Sequence, residues 1–252
     1  MEKLIWEQNF LSKDRSLEQW NIAIGNDLLD ENGVAIMPGW GNGEEQFYTG
    51  ESSNLYFDEH GLNICARVEQ VVHGGKTYSY TSARINTQHH FSYRYGRLIV
   101  RAKLPVGIGL WPAIWLLPQD QVYGPWPASG EIDIMEAKGR LPHQVSGTLH
   151  YGQSWDKKFT DEYTYQLPES RIDEFHNYEL EWSKDNIRWL VDGHCYAERL
   201  LDHEQMPFDQ SFYLLINVAV GGWYDRVEVD RDAFPAAMTI EGIWLYELEK
   251  GK

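Results

Sequence analysis

Only two cysteines, Cys65 and Cys195, occur in 252 residues. Neither sits in a CxxC pair or a Cys/His cluster, so nothing suggests a zinc site. One disulfide is available in an oxidising compartment, but two buried free thiols are the expectation. Basic residues are also scarce, with 22 Lys and Arg against 38 Asp and Glu, for a formal charge of −16. That balance argues against nucleic acid, whose phosphates need clustered cations. It equally disfavours anionic membranes and sulfated polymers. Long apolar runs are missing too. The longest, Phe212 to Val220, is interrupted by Asn217 and is too short to span a bilayer. Residues 1–7 lack the apolar stretch of a secretory signal. A trimmed signal leaves no trace, so the compartment stays open: cytoplasmic if Met1 is native, extracellular if a leader was removed. Linkers, low-complexity tracts and repeats are absent, so residues 1–252 are expected to form a single domain. A chain of this length buries a sizeable core without disulfides or metals.

Aromatic residues, in contrast, are plentiful: 14% of the chain, with 11 Trp and 15 Tyr. An acidic, aromatic-rich protein is suited to stacking neutral ligands. Turn signals punctuate short segments of alternating polarity. Leu62, Ile64, Ala66 and Val68 share one parity, and so do Leu98, Val100, Ala102 and Leu104, with Arg97, Arg101 and Lys103 opposite. Tyr178, Leu180 and Trp182 run into a Ser183–Asn186 turn; Ile187, Trp189 and Val191 lead back to a turn at Asp192-Gly193. Helical periodicity is limited to Glu169–His176, a candidate turn of helix, and to the ambiguous Ser16–Ile22. Many short strands and few helices predict two antiparallel sheets packed face to face, the concave one carrying a cleft.

The segment Ser129-Gly130-Glu131-Ile132-Asp133-Ile134-Met135-Glu136 carries the most chemistry. In a regular strand Glu131 and Asp133 share a face, while Ile132 and Ile134 point into apolar packing. Glu136 has the wrong parity, which a one-residue bulge near Met135 would restore. Three acids on one face repel one another, and burial raises at least one pKa, as general acid catalysis near neutrality requires. Across the bulge the Glu131 and Glu136 backbones would lie ~13 Å apart. Side chains leaning inward could close to about 5–5.5 Å, the separation used by retaining glycosidases. Glu131 would then attack the anomeric carbon, Glu136 would protonate the leaving oxygen and later activate water, and Asp133 would orient the nucleophile. An exposed acidic strand edge is the alternative on spacing alone, and an EF-hand pattern is absent. Trp111 and Trp115, four apart and so on one face of a strand, precede the acids together with Trp126. Indoles offer the apolar stacking face that a sugar ring needs, though each could equally be core.

These residues resemble glycoside hydrolase family 16. Glu131-Ile-Asp-Ile-Met-Glu136 is similar to its ExDxxE signature in the bulged form, and the laminarinase-like members are the nearest likeness. Further landmarks are Gly39–Gln46, Tyr80–Ile85, Tyr95-Gly-Arg97, Trp111–Trp115, Trp126–Gly130 and Gly147–Tyr151. Phe208–Leu214, Asn217–Gly222 and Phe234–Met238 complete the series. The resemblance implies an all-β, two-sheet antiparallel β-jelly-roll sandwich with an open cleft on the concave sheet. It implies retaining endo-hydrolysis of laminarin-type β-1,3-glucan, with mixed-linkage β-1,3-1,4-glucan as a secondary substrate. Glu131 corresponds to the nucleophile, Glu136 to the acid/base, Asp133 to the assisting carboxylate, and His150 to a neighbouring-strand residue near the acid/base. Asn42 and Arg84 correspond to glycone-side contacts; Trp111, Trp115 and Trp126 to the stacking wall; Asn217 and Trp223 to further substrate-binding positions.

The expected partner is a neutral β-glucan polysaccharide or oligosaccharide, met by a monomer, with no nucleic acid and no membrane. No cofactor is required. Family members often hold a structural calcium on the convex face; Glu241, standing where an Asp is expected, could still ligate it, but Asn9 replaces an acid and that loss disfavours the ion here. A noncatalytic glucan-binding lectin and a transglycosylase are the competing readings. The first lacks a catalytic acid in the proteins it resembles, and the second more often carries the shorter ExDxE motif.

Overall fold

The computed structural model describes residues 3–29, 33–202 and 206–248. Its strands form two large sheets. A seven-stranded sheet runs, edge to edge, through β14 (Lys158–Gln166), β13 (Gln144–Gly152), β12 (Glu131–Glu136), β11 (Leu110–Pro118), β18 (Phe212–Val220), β9 (Arg84–Asn86) and β2 (Asn21–Ile22). The ten-stranded sheet runs through β17 (His194–Leu200), β16 (Asn186–Val191), β15 (His176–Trp182), β10 (Gly96–Lys103) and β19 (Ala236–Tyr246). It continues into β7 (Gly61–His73), β8 (Lys76–Ser82) and β5 (Gln46–Tyr48), with β1 (Leu4–Asn9) on β19 and β6 (Leu55–Asp58) on β7. A small hairpin pairs β3 (Asp27–Leu29) with β4 (Ala35–Pro38). Among the described residues pairing is antiparallel except between β5 and β8. This is the all-β sandwich that the alternation predicts, with the jelly-roll architecture.

The core lies between the two sheets. Leu116, Ile132, Leu149, Leu214, Ile216 and Val218 face inward from one; Leu98, Val100, Leu180, Trp182, Trp189 and Ile243 meet them from the other. Each such side chain contributes about 1.5–3 kcal/mol by leaving water. β18 is buried at every position, which explains why its sequence reads as an apolar run. β10 shows the alternating pattern of a half-buried strand, and its outward Arg97 pairs with Glu179. The Asp192-Gly193 turn has φ of 50° and 77°, as a two-residue hairpin loop requires.

Two local expectations change. Glu169–His176 forms turns that lead into β15, with no helix; Ser16–Ile22 is a turn followed by β2. Among the described residues the only helical pieces are three short 3₁₀ turns, Gly39–Gly41, Trp155–Lys157 and Arg231–Ala233. Cys65 is buried and Cys195 half-buried, both as free thiols. Glu241 is held in an ion pair by Arg101, while Asn9 Oδ1 accepts the Leu11 N–H at 3.0 Å.

Candidate active site

The three acids of β12 stand in the interior of a sheet, between β11 and β13, which removes the strand-edge alternative. Asp133 lies opposite Trp115 and Thr148, and Glu136 lies opposite Ala113 and Ser146. Between them, Ile134 and Met135 face a single residue, Gly147, across the β13 ladder. This is the one-residue bulge that the parity of Glu136 demands. Ile134 and Met135 both turn inward and are buried, so Glu131, Asp133 and Glu136 share the outer face. The opposite sheet supports this distortion. Trp189 of β16 is fully buried, and its Nε1 donates to the Asp133 carbonyl oxygen at 2.9 Å. Gly147 leaves room for that indole: a Cβ there would stand 2.2 Å from Trp189 Cδ1.

Register extends this arrangement across the sheet. One transverse row runs Arg84, Asn217, Ala113, Glu136, Ser146, Thr164; the next runs Asn86, Leu215, Trp115, Asp133, Thr148, Glu162. A third begins at Glu131 and continues through His150 to Thr160. The acids therefore occupy the middle of a polar floor with sheet on both sides.

Burial dictates the electrostatics. Asp133 is 3% exposed and Glu136 8%. Burial, then the charges of Glu131 and Glu136, hold Asp133 well above the ordinary carboxylate range, which favours its protonated form, and it shares a side-chain hydrogen bond with Glu131. Burial also pushes Glu136 up to about 7, opposed by the N–H of Trp111, which donates to its Oε1 at 2.9 Å. Trp126 Nε1 donates to Oε2 of Glu131 at 2.7 Å. Two of the three expected wall residues are thus wired to the outer acids, and the third, Trp115, donates to Asn217 Oδ1 at 2.8 Å. His150 stands opposite Glu131, its Nε2 3.4 Å from Asp133 Oδ2 and its Nδ1 3.0 Å from Thr160 Oγ1. Register places it beside Glu131 and Asp133, whereas the expectation set it near Glu136. Burial lowers its pKa, which favours the neutral ring. Glu131, Asp133 and His150 each offer one atom within 4.8 Å of the others, a grouping that could hold a metal ion.

On the β9 side, Arg84 is buried between two indoles, 4.3 Å from the Trp40 ring centroid and 4.8 Å from that of Trp115. Glu44, which local pattern did not single out, organises this half. Its buried carboxylate accepts from Asn42 Nδ2 at 3.1 Å, Gln46 Nε2 at 2.6 Å and Tyr48 Oη at 3.0 Å. Asn217 Nδ2 donates in turn to Tyr48 Oη at 3.0 Å. A chain of hydrogen bonds thus joins Trp115, Asn217, Tyr48, Glu44 and Asn42. Burial raises the pKa of Glu44 and the Arg84 charge lowers it. Asn217 sits mid-strand and 4% exposed, so it is no strand-end cap. Trp223 is 52% exposed; its backbone N–H donates to Asn42 O at 2.7 Å and its indole lies against Gly43, where a Cβ would come within 2.6 Å.

The catalytic and substrate-binding candidates named from sequence therefore converge on one face, with Trp223 at its rim. Sequence reading missed Glu44, Tyr48, Tyr224, which stacks on Trp111 at 5.0 Å, and the exposed Trp155, 4.9 Å from Trp126. Glu44 and Glu45 both lie in the Gly39–Gln46 landmark, and no local pattern tells the buried one from its exposed neighbour. A buried acid near pH 7, a second carboxylate, a neutral acid between them and aromatic walls can support general acid and nucleophilic chemistry on a neutral polyhydroxylated ligand.

Residues 35–237 match the family model for "Glycosyl hydrolases family 16". A glucan endo-1,3-beta-glucosidase A1 from Niallia circulans is 38% identical over 97% of this chain, which spans 38% of that protein's length. A beta-glucanase from Rhodothermus marinus is 39% identical over 97% of this chain and 85% of its own length. Among solved structures, the laminarinase catalytic domain from Thermotoga maritima MSB8 superposes with a TM-score of 0.87 at 38% identity, covering 99% of each chain.

Proposed function

The chain belongs to glycosyl hydrolase family 16, and we propose that it cleaves internal β-1,3 bonds of laminarin-type glucans with retention of configuration. The observation that carries this reading is the β12 bulge, which returns Glu136 to the face of Glu131 while burial lifts its pKa to about 7. Glu136 donates its proton to the glycosidic oxygen as the Glu131 carboxylate attacks the anomeric carbon, giving a glycosyl ester. Water then attacks that carbon, Glu136 takes its proton, and Glu131 is released with the β-configuration restored. Asp133, protonated, keeps a hydrogen bond on Glu131 and spares the site a third negative charge. His150 holds its neutral ring beside this pair. No cofactor is needed for these steps.

The buried Arg84, with Asn42 and Asn217, binds hydroxyls on the glycone side, and Trp115 supplies the stacking face. The core shared by the two sheets supports reading residues 1–252 as one catalytic domain. The names of the relatives support β-glucan as substrate, and mixed-linkage β-1,3-1,4-glucan is expected as a secondary one. The test is reducing-sugar release from laminarin, mixed-linkage glucan, xylan and agarose by wild type, Glu131→Gln and Glu136→Gln, with product anomers followed by NMR. Laminarin cleavage giving β-anomers first, lost in both variants, is the expected result. Laminarin binding without hydrolysis of any glucan would overturn the enzyme and leave a lectin.

A further inference from the structure

Away from the cleft, a second pocket opens on the flank where edge strands of the two sheets meet. β14 is the edge of the seven-stranded sheet and β17 an edge of the ten-stranded one. Parity sends Thr160, Glu162 and Thr164 to the polar floor, and it turns Tyr163 and Tyr165 the other way, against the core. There Tyr165 lies nearly parallel to Tyr196 of β17, with ring centroids 5.0 Å apart and planes at 20°. His194, exposed on the same strand, stands 5.5 Å from Tyr165 at 30°. Tyr165 and His194, with the apolar Leu167 and Pro168, line a pocket of about 350 Å³. Its polar lining is Glu169, Ser170 and Asp192. That volume falls in the range of pockets that hold small molecules.

The walls of this pocket are fixed by the fold. Asp192 accepts the Asn177 N–H at 2.8 Å and pairs with His176 Nδ1 at 2.7 Å. The Ser170 carbonyl oxygen meets His143 Nδ1 at 2.9 Å. The groups aimed at a ligand are uncommitted. Among the described residues, the Tyr165 and Ser170 hydroxyls, the Glu169 carboxylate and the His194 ring nitrogens have no hydrogen-bond partner. No Lys or Arg lines the pocket, and neighbouring Arg171 is held by Asp173. A free carboxylate on a chain of charge −16 turns anions away. Ring faces beside free hydroxyls match a neutral sugar, whose C–H face stacks while its hydroxyls find polar partners. We infer that Tyr165, His194 and Glu169 form a surface site for a neutral glucan chain, separate from the catalytic cleft. The inference rests on the glucanase reading, which supplies the polymer. A polymer long enough to reach both sites is held twice, so its second contact forms at high effective concentration. An oligosaccharide that fills only the cleft gains nothing from it.

The experiment places Tyr165→Ala, Tyr165→Phe and His194→Ala in two backgrounds. In Glu131→Gln, where hydrolysis is expected to be lost, binding to insoluble β-1,3-glucan (curdlan) is measured with and without added salt. In the wild-type background, kcat/KM is measured on soluble laminaritetraose. Tyr165→Ala and His194→Ala are each expected to weaken binding to curdlan about fivefold to tenfold, while kcat/KM on the tetrasaccharide stays within about twofold. Tyr165→Phe recovers most of the binding, and salt leaves it unchanged. His194 is exposed, so its variant tests the site even where Tyr165→Ala disturbs packing. Curdlan binding equal to the parent's, or equal losses on curdlan and tetrasaccharide in both alanine variants, would overturn the site and leave the glucanase reading intact. Binding abolished by salt would also overturn it, in favour of a cationic partner for Glu169. A wild type that hydrolyses no glucan would overturn the glucanase reading, and the curdlan measurement, which needs no hydrolysis, would still decide the site.

Discussion

The indole N–H of Trp189, on the ten-stranded sheet, donates to the Asp133 carbonyl oxygen on the seven-stranded sheet at 2.9 Å. The bulge that assembles the acids is thereby pinned from inside the sandwich. Trp189→Phe would leave that buried carbonyl unpaired at a cost of about 1–3 kcal/mol. Because the freed strand can shift its acids, kcat on laminarin is expected to fall by about tenfold to a hundredfold. Gly147→Ala overfills the same slot and should destabilise by about 1–3 kcal/mol. Denaturant unfolding and steady-state kinetics check both.

Glu136 makes stability depend on pH. Its folded-state pKa is raised from 4.5 to about 7, so its favourable contribution is full below about 4.5 and is lost as pH rises through about 7. Glu136→Gln should therefore be more stable than wild type at pH 8 by roughly 3 kcal/mol at most, with little difference at pH 4. Thermal unfolding across that range is the measurement. The same proton limits catalysis: wild-type kcat/KM is expected to decline as pH rises through about 7.

Trp111→Phe removes the N–H that favours the ionised form of Glu136, while its ring can still stack on Tyr224. The acid becomes weaker, so the alkaline limb of kcat/KM should move to higher pH, by about half a unit to one unit. A limb that stays put would show that this hydrogen bond does not tune the acid.

Glu44→Gln turns an acceptor into a donor against the amide of Gln46, leaving buried donors unpaired. Stability should drop by about 1–3 kcal/mol. Arg84 loses its counter-charge and Asn42 its anchor, so KM for laminarin should rise more than kcat falls. Kinetics on oligosaccharides of increasing length separate this from a general loss of fold, since the penalty grows as glycone subsites fill.

Much of this was legible because strands write their geometry into parity. The even spacing of Glu131 and Asp133 gave their common face, and the odd spacing of Glu136 required the bulge. Trp111 and Trp115 share a face for the same reason. The candidate turn of helix at Glu169–His176 came from acids and apolar residues whose spacing the turn into β15 satisfies equally well. What stayed hidden depends on strands distant in sequence. Trp189 reaches Asp133 across 56 positions, and Asn217 reaches Tyr48 across 169. Neither link leaves a local pattern. His150 could be named by resemblance, but only the register of β13 decides which acid it faces.

In a regular strand two side chains share a face only when an even number of steps separates them, so acids at 131, 133 and 135 would line up with no bulge. Ile134 is the extra residue here, and beyond it Glu136 meets Ala113 and Ser146 in undisturbed register. The extra residue is absorbed in the bulge: Glu131 and Glu136 face His150 and Ser146, four positions apart on β13, so all three acids keep one face and the outer pair keeps the span of a regular strand. The gap between nucleophile and proton donor is therefore counted on the neighbouring strand, not between the acids themselves. Register moves only in whole residues, so a neighbouring substitution can tilt these side chains within the gap but cannot change the pairing that sets it.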